Sequence, residues 1–212
     1  MTDYIDIHTH GHTSAATAVR NHRLGVEQTA SATVISAGVH PWDAELLLPQ
    51  FKELIKTLES AKCVAIGEIG LDKACSSAWA AQQKFFNTQL EVAARRNLPV
   101  VIHCVRAQAE IIAQLAHHPH LPAVIFHGFI GSPEQAHALL SRGYFISFGF
   151  NALKSPKTIE AIKACPTEQL LLESDTSTTD IALLYQAVAD IKGLTTDTLL
   201  EQITNNYNRI FQ

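Results

Sequence analysis

Long apolar runs are missing from this chain. No stretch of eighteen or more consecutive apolar residues occurs in its 212 residues, which excludes a helix built to span a bilayer. A leader is not expected either: the opening residues pass directly to Asp6 and His8 with no basic segment followed by an apolar one, so the chain reads as cytoplasmic. Cysteine is scarce. Cys63, Cys75, Cys104 and Cys165 stand far apart with no C-x-x-C pair, which argues against a disulfide framework and against a zinc ribbon, and leaves them as small, mostly buried hydrophobes. Excess positive charge is also lacking. The net charge of −4 weighs against an extended nucleic-acid clamp, because such surfaces carry a basic stripe. Most of that acidity lies in Thr167–Gln212, with seven acids against two bases. No linker, internal repeat or low-complexity stretch divides the sequence, so residues 1–212 read as a single domain.

What is present is the composition of an ordinary globular domain, 47% apolar and 17% charged. A domain of this size buries around 70% of its unfolded surface and folds without staples. Its length is short for a closed α/β barrel, which typically takes about 250 residues. Histidine is plentiful, with eleven residues, and their placement is informative.

Strand-like and helix-like segments alternate along the chain. Tyr4–Ile7 is a short apolar run ending in His8, and Thr33–Val39 is followed by His40 and Pro41. Leu46–Leu58 has apolar residues at helical spacing. Val64–Ile66 ends at Gly67 and Glu68, and a long helix from Ala78 to Arg96 follows, with Ser76 or Ser77 as its cap and Asn97-Leu98-Pro99 as its stop. Val100–Ile102 ends in His103, Ala123–Phe126 in His127, and Leu170–Leu172 in Glu173-Ser174-Asp175. Helices are expected at Ala107–Ala116, after Ser132-Pro133, at Pro156–Ala164, Ile181–Ile191 and Asp197–Ile210, and a further strand at Tyr144–Phe148. Apolar strands alternating with helices make a parallel sheet covered on both faces. Both a barrel and a doubly wound sheet put chemistry past the carboxyl ends of strands, but only a barrel brings many strand ends to one rim. A TIM-like (β/α) barrel is therefore expected. If Thr17–Asn21 is its second strand, too few residues separate it from His10 for a helical crossover, so the barrel is distorted or lacks a helix near the N-terminus.

The polar residues at those strand ends are His8 and His10, His40, Glu68, His103, His127 and Asp175. In an extended segment, positions two apart share a side, so His8 and His10 can reach one ion. Gathering the four imidazoles of His8, His10, His103 and His127 and the two carboxylates without a cation is costly, and a divalent metal is the economical explanation. Imidazole and carboxylate without thiolate suit zinc, manganese or magnesium. The remaining His12, His22, His117, His118, His120 and His137 fit no such position and read as surface or loop residues.

In this order the strings Asp6-x-His8-x-His10, Gly38-Val39-His40-Pro41, Gly67-Glu68-Ile69-Gly70-Leu71-Asp72, Pro99-Val100-Val101-Ile102-His103, His127-x-Phe129-x-Gly131 and Glu173-Ser174-Asp175 resemble the TatD family of metal-dependent hydrolases, from Met1 to the Asn206-x-x-Arg209-x-Phe211 ending. The resemblance implies two divalent metal ions per chain, one held by His8, His10, Glu68 and Asp175 and the other by Glu68, His103 and His127, with Glu68 bridging. It implies phosphoester cleavage, with deoxyribonuclease action of the 3'-5' exonuclease type on a DNA end as the finer reading. Two ions activate a water and stabilise the attacking and leaving oxygens of an in-line displacement. Asp175 and Glu68 are the catalytic carboxylates of this reading, with Asp175 both ligand and proton acceptor. His40 and Arg106 are assigned to substrate binding. Arg106 stands one residue further from His103 than the family's arginine does, and Asp175-Thr176-Ser177-Thr178-Thr179-Asp180 leads into a helix where relatives carry a proline and a long loop. Two other readings stay open. One is an amidohydrolase-type enzyme cleaving a small C–N or carboxylic ester bond on the same metals, favoured by the acidic balance and trimmed rim. The other is an inactive barrel that serves as a binding protein.

Overall fold

The computed structural model describes residues 3–11, 13–24, 26, 34–45 and 62–212. The expected helix Leu46–Leu58 and residue His12 lie outside these. Contacts group the chain into two compact units, Met1–Arg20 with Phe126–Gln212, and Asn21–Ile125. The strands are β1 (Ile5–Thr9), β2 (Thr17–Arg23), β3 (Ile35–Gly38), β4 (Cys63–Asp72), β5 (Val100–Val105), β6 (Val124–Phe126), β7 (Phe145–Phe148) and β8 (Leu170–Leu172). The helices are α1 (Trp79–Arg96), α2 (Gln108–Leu115), α3 (Pro133–Leu140), α4 (Pro156–Ala164), α5 (Ile181–Lys192) and α6 (Thr196–Phe211).

In the unit formed by residues 21–125, β3, β4 and β5 are parallel neighbours in chain order, with Ala37 opposite Ile66 and Ile69 opposite Ile102. Val100 N–H donates to Ala123 O, directly before β6. β4 differs from its expected extent. The strand expected at Val64–Ile66 ends at Gly67 and Glu68, yet β4 runs ten residues and carries Glu68 in its middle, and β5 likewise continues past His103. Its glycines serve close approach: a Cβ on Gly67 would lie 2.5 Å from the Val101 Cβ, and one on Gly70, whose φ is +153°, 1.9 Å from the His103 carbonyl oxygen. Helix α1 packs on β4 through Phe86, Leu90 and Ala93, and ends on Asn97 in the left-handed conformation. Its start is capped differently from expectation. Ala78 is the N-cap residue, its N–H bonded to Glu45 Oε1 at 2.7 Å, while Ser77 Oγ donates to Trp42 O.

In the other unit β7 and β8 are parallel, and Asp175 beyond β8 bridges in parallel to Thr9 at the end of β1. Asp175 N–H donates to His8 O at 3.0 Å and His10 N–H to Asp175 O at 2.9 Å, so the chain's first and last strands lie side by side. β1 pairs in parallel with β2, Ile5 opposite Thr17. No helix lies among the described residues between these two strands, as the short spacing predicts. Side chains hold the abbreviated connection instead: Thr13 Oγ1 donates to Asp6 Oδ2 at 2.6 Å, and Ser14 Oγ donates to Asp180 Oδ1, the cap of α5, at 2.7 Å. Ser132 and Gln135 form the capping box of α3, and α6 buries Leu199, Ile203, Tyr207 and Ile210 as its periodicity requires.

Candidate metal centre

Each unit gathers its own group of metal-competent side chains. In the unit containing both termini, His8, His10 and Asp175 each offer a ligand atom, all within 4.8 Å of one another, and His10 Nε2 lies 3.6 Å from Asp175 Oδ1. His8 is buried at the end of β1, and its ring meets that of His127 at 4.3 Å between centroids. His127 follows β6 directly and is oriented by a carboxylate behind it: Glu173 Oε1 lies 3.3 Å from His127 Nδ1 and accepts the Gly128 N–H at 2.7 Å. That contact leaves Nε2 of His127 as the presented nitrogen, the usual arrangement behind a histidine ligand. Burial raises the Glu173 carboxyl, but the His127 ring, through charge and hydrogen bond, and His8 beyond it outweigh burial and hold the acid below its ordinary range. Asp6 is the second buried carboxylate here. It accepts bonds from Ser174 N–H and Ser174 Oγ and so pins the segment leading to Asp175, while burial drives its pKa up.

Asp175 itself adopts φ +53°, a left-handed conformation that aspartate tolerates better than most residues. Its side chain is partly exposed and borders a cavity of about 550 Å³, lined also by Ile130, Phe150, Asn151, Lys154 and Ser177. The volume is in the range of sites for small ligands. Lys154 is the one cation among the described residues lining it, and its ammonium donates to Asn151 Oδ1 at 2.9 Å.

In the unit of residues 21–125, His40, Glu68 and His103 form the corresponding group. Glu68 Oε1 lies 2.6 Å from His103 Nδ1 and 3.1 Å from His40 Nε2. Asn21 brackets Glu68, accepting its backbone N–H at 2.9 Å and donating to Oε2 at 3.4 Å. His103 Nε2 lies 3.2 Å from Asp72 Oδ2. A neutral imidazole carries one N–H and cannot satisfy a carboxylate at each nitrogen, so this donor set suits an added positive centre. His40, assigned to the substrate rim, is instead buried at 3% exposure inside this group. Its Nδ1 accepts the Trp42 N–H at 3.2 Å, capping the 3-10 turn Pro41–Asp43, so the neutral ring donates from Nε2 to Glu68. Burial lowers the His40 pKa in spite of Glu68 beside it. Arg106, the other residue assigned to substrate, is exposed past β5 with φ +54°.

Two glutamines on one face of α1, seven residues apart, hold the ends of the strands that carry these groups. Gln89 accepts Val39 N–H at 2.7 Å and donates to Val39 O, directly before His40. Gln82 does the same for Asp72, accepting its N–H at 2.8 Å and donating to its carbonyl. Both glutamines are buried, which becomes visible only once α1 is packed on the strands.

The sequence matches the family described as TatD related DNase over residues 7–212. The chain belongs to the TatD family. It is 31% identical over 203 residues to the 3'-5' ssDNA/RNA exonuclease TatD of Pantoea ananatis and 29% identical over 195 residues to the uncharacterized metal-dependent hydrolase YabD of Bacillus subtilis. Those alignments cover 83% and 82% of this chain and 76% of either relative. Of some other curated relatives the chain spans about half the length, 50% and 56%. Among solved structures, the crystal structure of the YjjV TatD homolog from Escherichia coli superimposes with a TM-score of 0.87 at 23% identity, covering 99% of this chain and 98% of that one. That likeness shows the fold of this TatD-family chain to be a TIM-like (β/α) barrel of eight parallel strands, with α-helices following β4 and each later strand among the described residues.

Proposed function

We propose that this chain is a divalent-metal-dependent hydrolase that cleaves phosphoester bonds, acting on the end of a DNA or RNA strand in the manner of a 3'-5' exonuclease, with residues 1–212 working as one catalytic domain. The observation that carries the reading is the pair of ligand groups, His8, His10 and Asp175 in one unit and His40, Glu68 and His103 in the other, in a chain of a family whose relatives include named exonucleases. In the proposed assignment His8, His10, Glu68 and Asp175 hold one ion, and Glu68, His103 and His127 the second. Zinc, manganese and magnesium all suit these donors. Bound there, divalent cations activate water and neutralise charge building on the phosphate.

The chain's own residues supply the rest. Asp175, partly exposed and fixed by backbone bonds on both sides, takes the proton of the attacking water. Glu173 keeps His127 turned toward its ligand role, and Asn21 keeps Glu68 in place. The cavity beside Asp175 receives the strand end, with Lys154 facing phosphate and Ile130 and Phe150 offering apolar surface. One anchoring cation is enough for a substrate gripped by its scissile phosphate, which reconciles the reading with a net charge of −4.

The test combines elemental analysis with turnover assays. The wild type is expected to carry at least one ion per chain and to cleave phosphodiesters with manganese, magnesium or zinc, and Asp175→Ala to lose turnover by about 10²-fold or more. Less than one ion per chain together with inertness toward every phosphoester overturns the reading. Activity confined to lactones or amides in a parallel panel would assign the same metals to carbonyl chemistry.

A further inference from the structure

Trp42 shows the solvent a large aromatic surface, 51% exposed, while being held from several directions. Its indole N–H donates to Asp72 Oδ2 at 2.7 Å. The Arg23 guanidinium lies over the ring, 5.4 Å from its centroid, and is itself fixed by two bonds to Asp43 of 2.5 and 2.8 Å. His40 meets the ring nearly perpendicularly, 4.6 Å between centroids and 77° between planes. The backbone is tied as well, with the Trp42 N–H on His40 Nδ1 and its carbonyl accepting from Ser77 Oγ at 2.8 Å. Exposure alone is ordinary for a single surface aromatic, so it is the anchoring of this ring on several sides that sets it apart. A ring that is both open and immobile binds a flat partner at little cost in conformational entropy.

Its position names that partner. Trp42 is two residues from His40, and its ring centroid lies 6.0 Å from that of His103, whose Nδ1 contacts Glu68. Asp72 Oδ2 joins the two directly, accepting from the indole while lying 3.2 Å from His103 Nε2. With Arg23 over one face and Asp72 on the N–H edge, the half-exposed ring stands beside the group of His40, Glu68 and His103. A planar group attached to a phosphoester held at that group comes to rest on the ring. We propose that Trp42 is the stacking platform for a nucleobase next to the scissile phosphate, and thus a specificity-determining residue for unpaired nucleic-acid ends over phosphoesters without a base. The inference rests on the phosphoesterase reading above. Stacking of this kind tolerates every base, since each has a π-face, and requires the base to be free of a duplex stack.

The chain has two tryptophans, Trp42 and Trp79, so Trp79→Phe leaves Trp42 as the sole indole reporter. This variant, loaded with metal, is titrated with a single-stranded phosphorothioate oligodeoxynucleotide and with an abasic oligomer carrying the same number of phosphates. Saturable quenching of Trp42 by the first and not by the second is expected. In turnover on the phosphodiester counterparts, the wild type should prefer the base-containing substrate by roughly ten- to hundred-fold in kcat/KM, through KM. Trp42→Ala should bring that ratio close to one. Trp42→Phe, which keeps a ring but loses the bond to Asp72, should retain most of the preference, whereas a residue that served only to hold Asp72 would fail equally as Phe or Ala. Wild-type turnover with a ratio near one and no quenching overturns the stacking role and leaves the phosphoesterase reading standing. Absence of turnover on both substrates with any metal overturns that reading, and the inference with it.

Discussion

Glu173 stands behind His127 and governs how its ring is presented. The Glu173 Oε1 takes the Gly128 N–H and faces His127 Nδ1, and the glutamate side chain is fully buried. Replacing it as Glu173→Gln removes the charge that orients the ring, and metal affinity is expected to fall about 10- to 100-fold, read by chelator competition on a protein whose circular dichroism is unchanged. An unaltered affinity would show that His127 is held by packing alone. Glu173 was legible only as a letter in the Glu-Ser-Asp string. The same holds for Asp72, Asn21, Gln82 and Gln89. A glutamate at a strand end or a glutamine on a helix is common, and it acquires a role only when a distant segment supplies the group that it binds.

Among elements, α4 depends on a lysine from α5. The Lys192 ammonium donates to the carbonyls of Ile162, Lys163 and Cys165, satisfying the orphan acceptors at the end of α4, with burial pulling its pKa below the ordinary lysine value. Lys192→Met keeps the aliphatic stem and leaves those acceptors without a charged donor, and should lower unfolding free energy by about 2 kcal/mol in urea titrations with the slope unchanged. A loss within error would mean that water replaces the ammonium at no cost. The opposite lesson comes from β4. Its glycines suggest an interruption in the sequence, but they admit the backbone of β5, and the strand carries straight through Glu68. Asn206 on α6 illustrates the same dependence, its amide donating to Thr167 O and Leu170 O to fix the start of β8.

For the whole molecule, alkaline pH is the revealing variable. Burial pushes the Cys63 thiol up to about 11 and the Cys165 thiol up to about 12, from an ordinary value of 9.0, and raises Tyr144, Tyr185 and Tyr207 as well. Folded-state pKa values above the unfolded ones mean that these groups stabilise the fold fully below about pH 9 and that this contribution is lost as pH rises through 11 and 12. The urea midpoint should therefore decline from pH 9 upward, and both thiols should resist modification by a thiol reagent until the chain unfolds. A midpoint that stays flat through this window would contradict the burial of these groups.

The alternation of apolar strands with amphipathic helices was written in the sequence, because side-chain periodicity reports local geometry and needs no distant partner. So was the series of metal-competent residues His8, His10, Glu68, His103, His127 and Asp175, since such residues at the ends of successive strands are rare enough to be noticed in order. Tertiary structure decided the rest. It drew His40 into the buried group with Glu68, left Arg106 exposed, and put Glu173 behind His127. It also replaced a missing helix with hydrogen bonds from Thr13 and Ser14. Each of these depends on which backbone and side-chain groups are brought within about 3 Å of one another by segments far apart in the chain, and hydrogen bonds and ion pairs fall off too steeply with distance for residue type alone to reveal them.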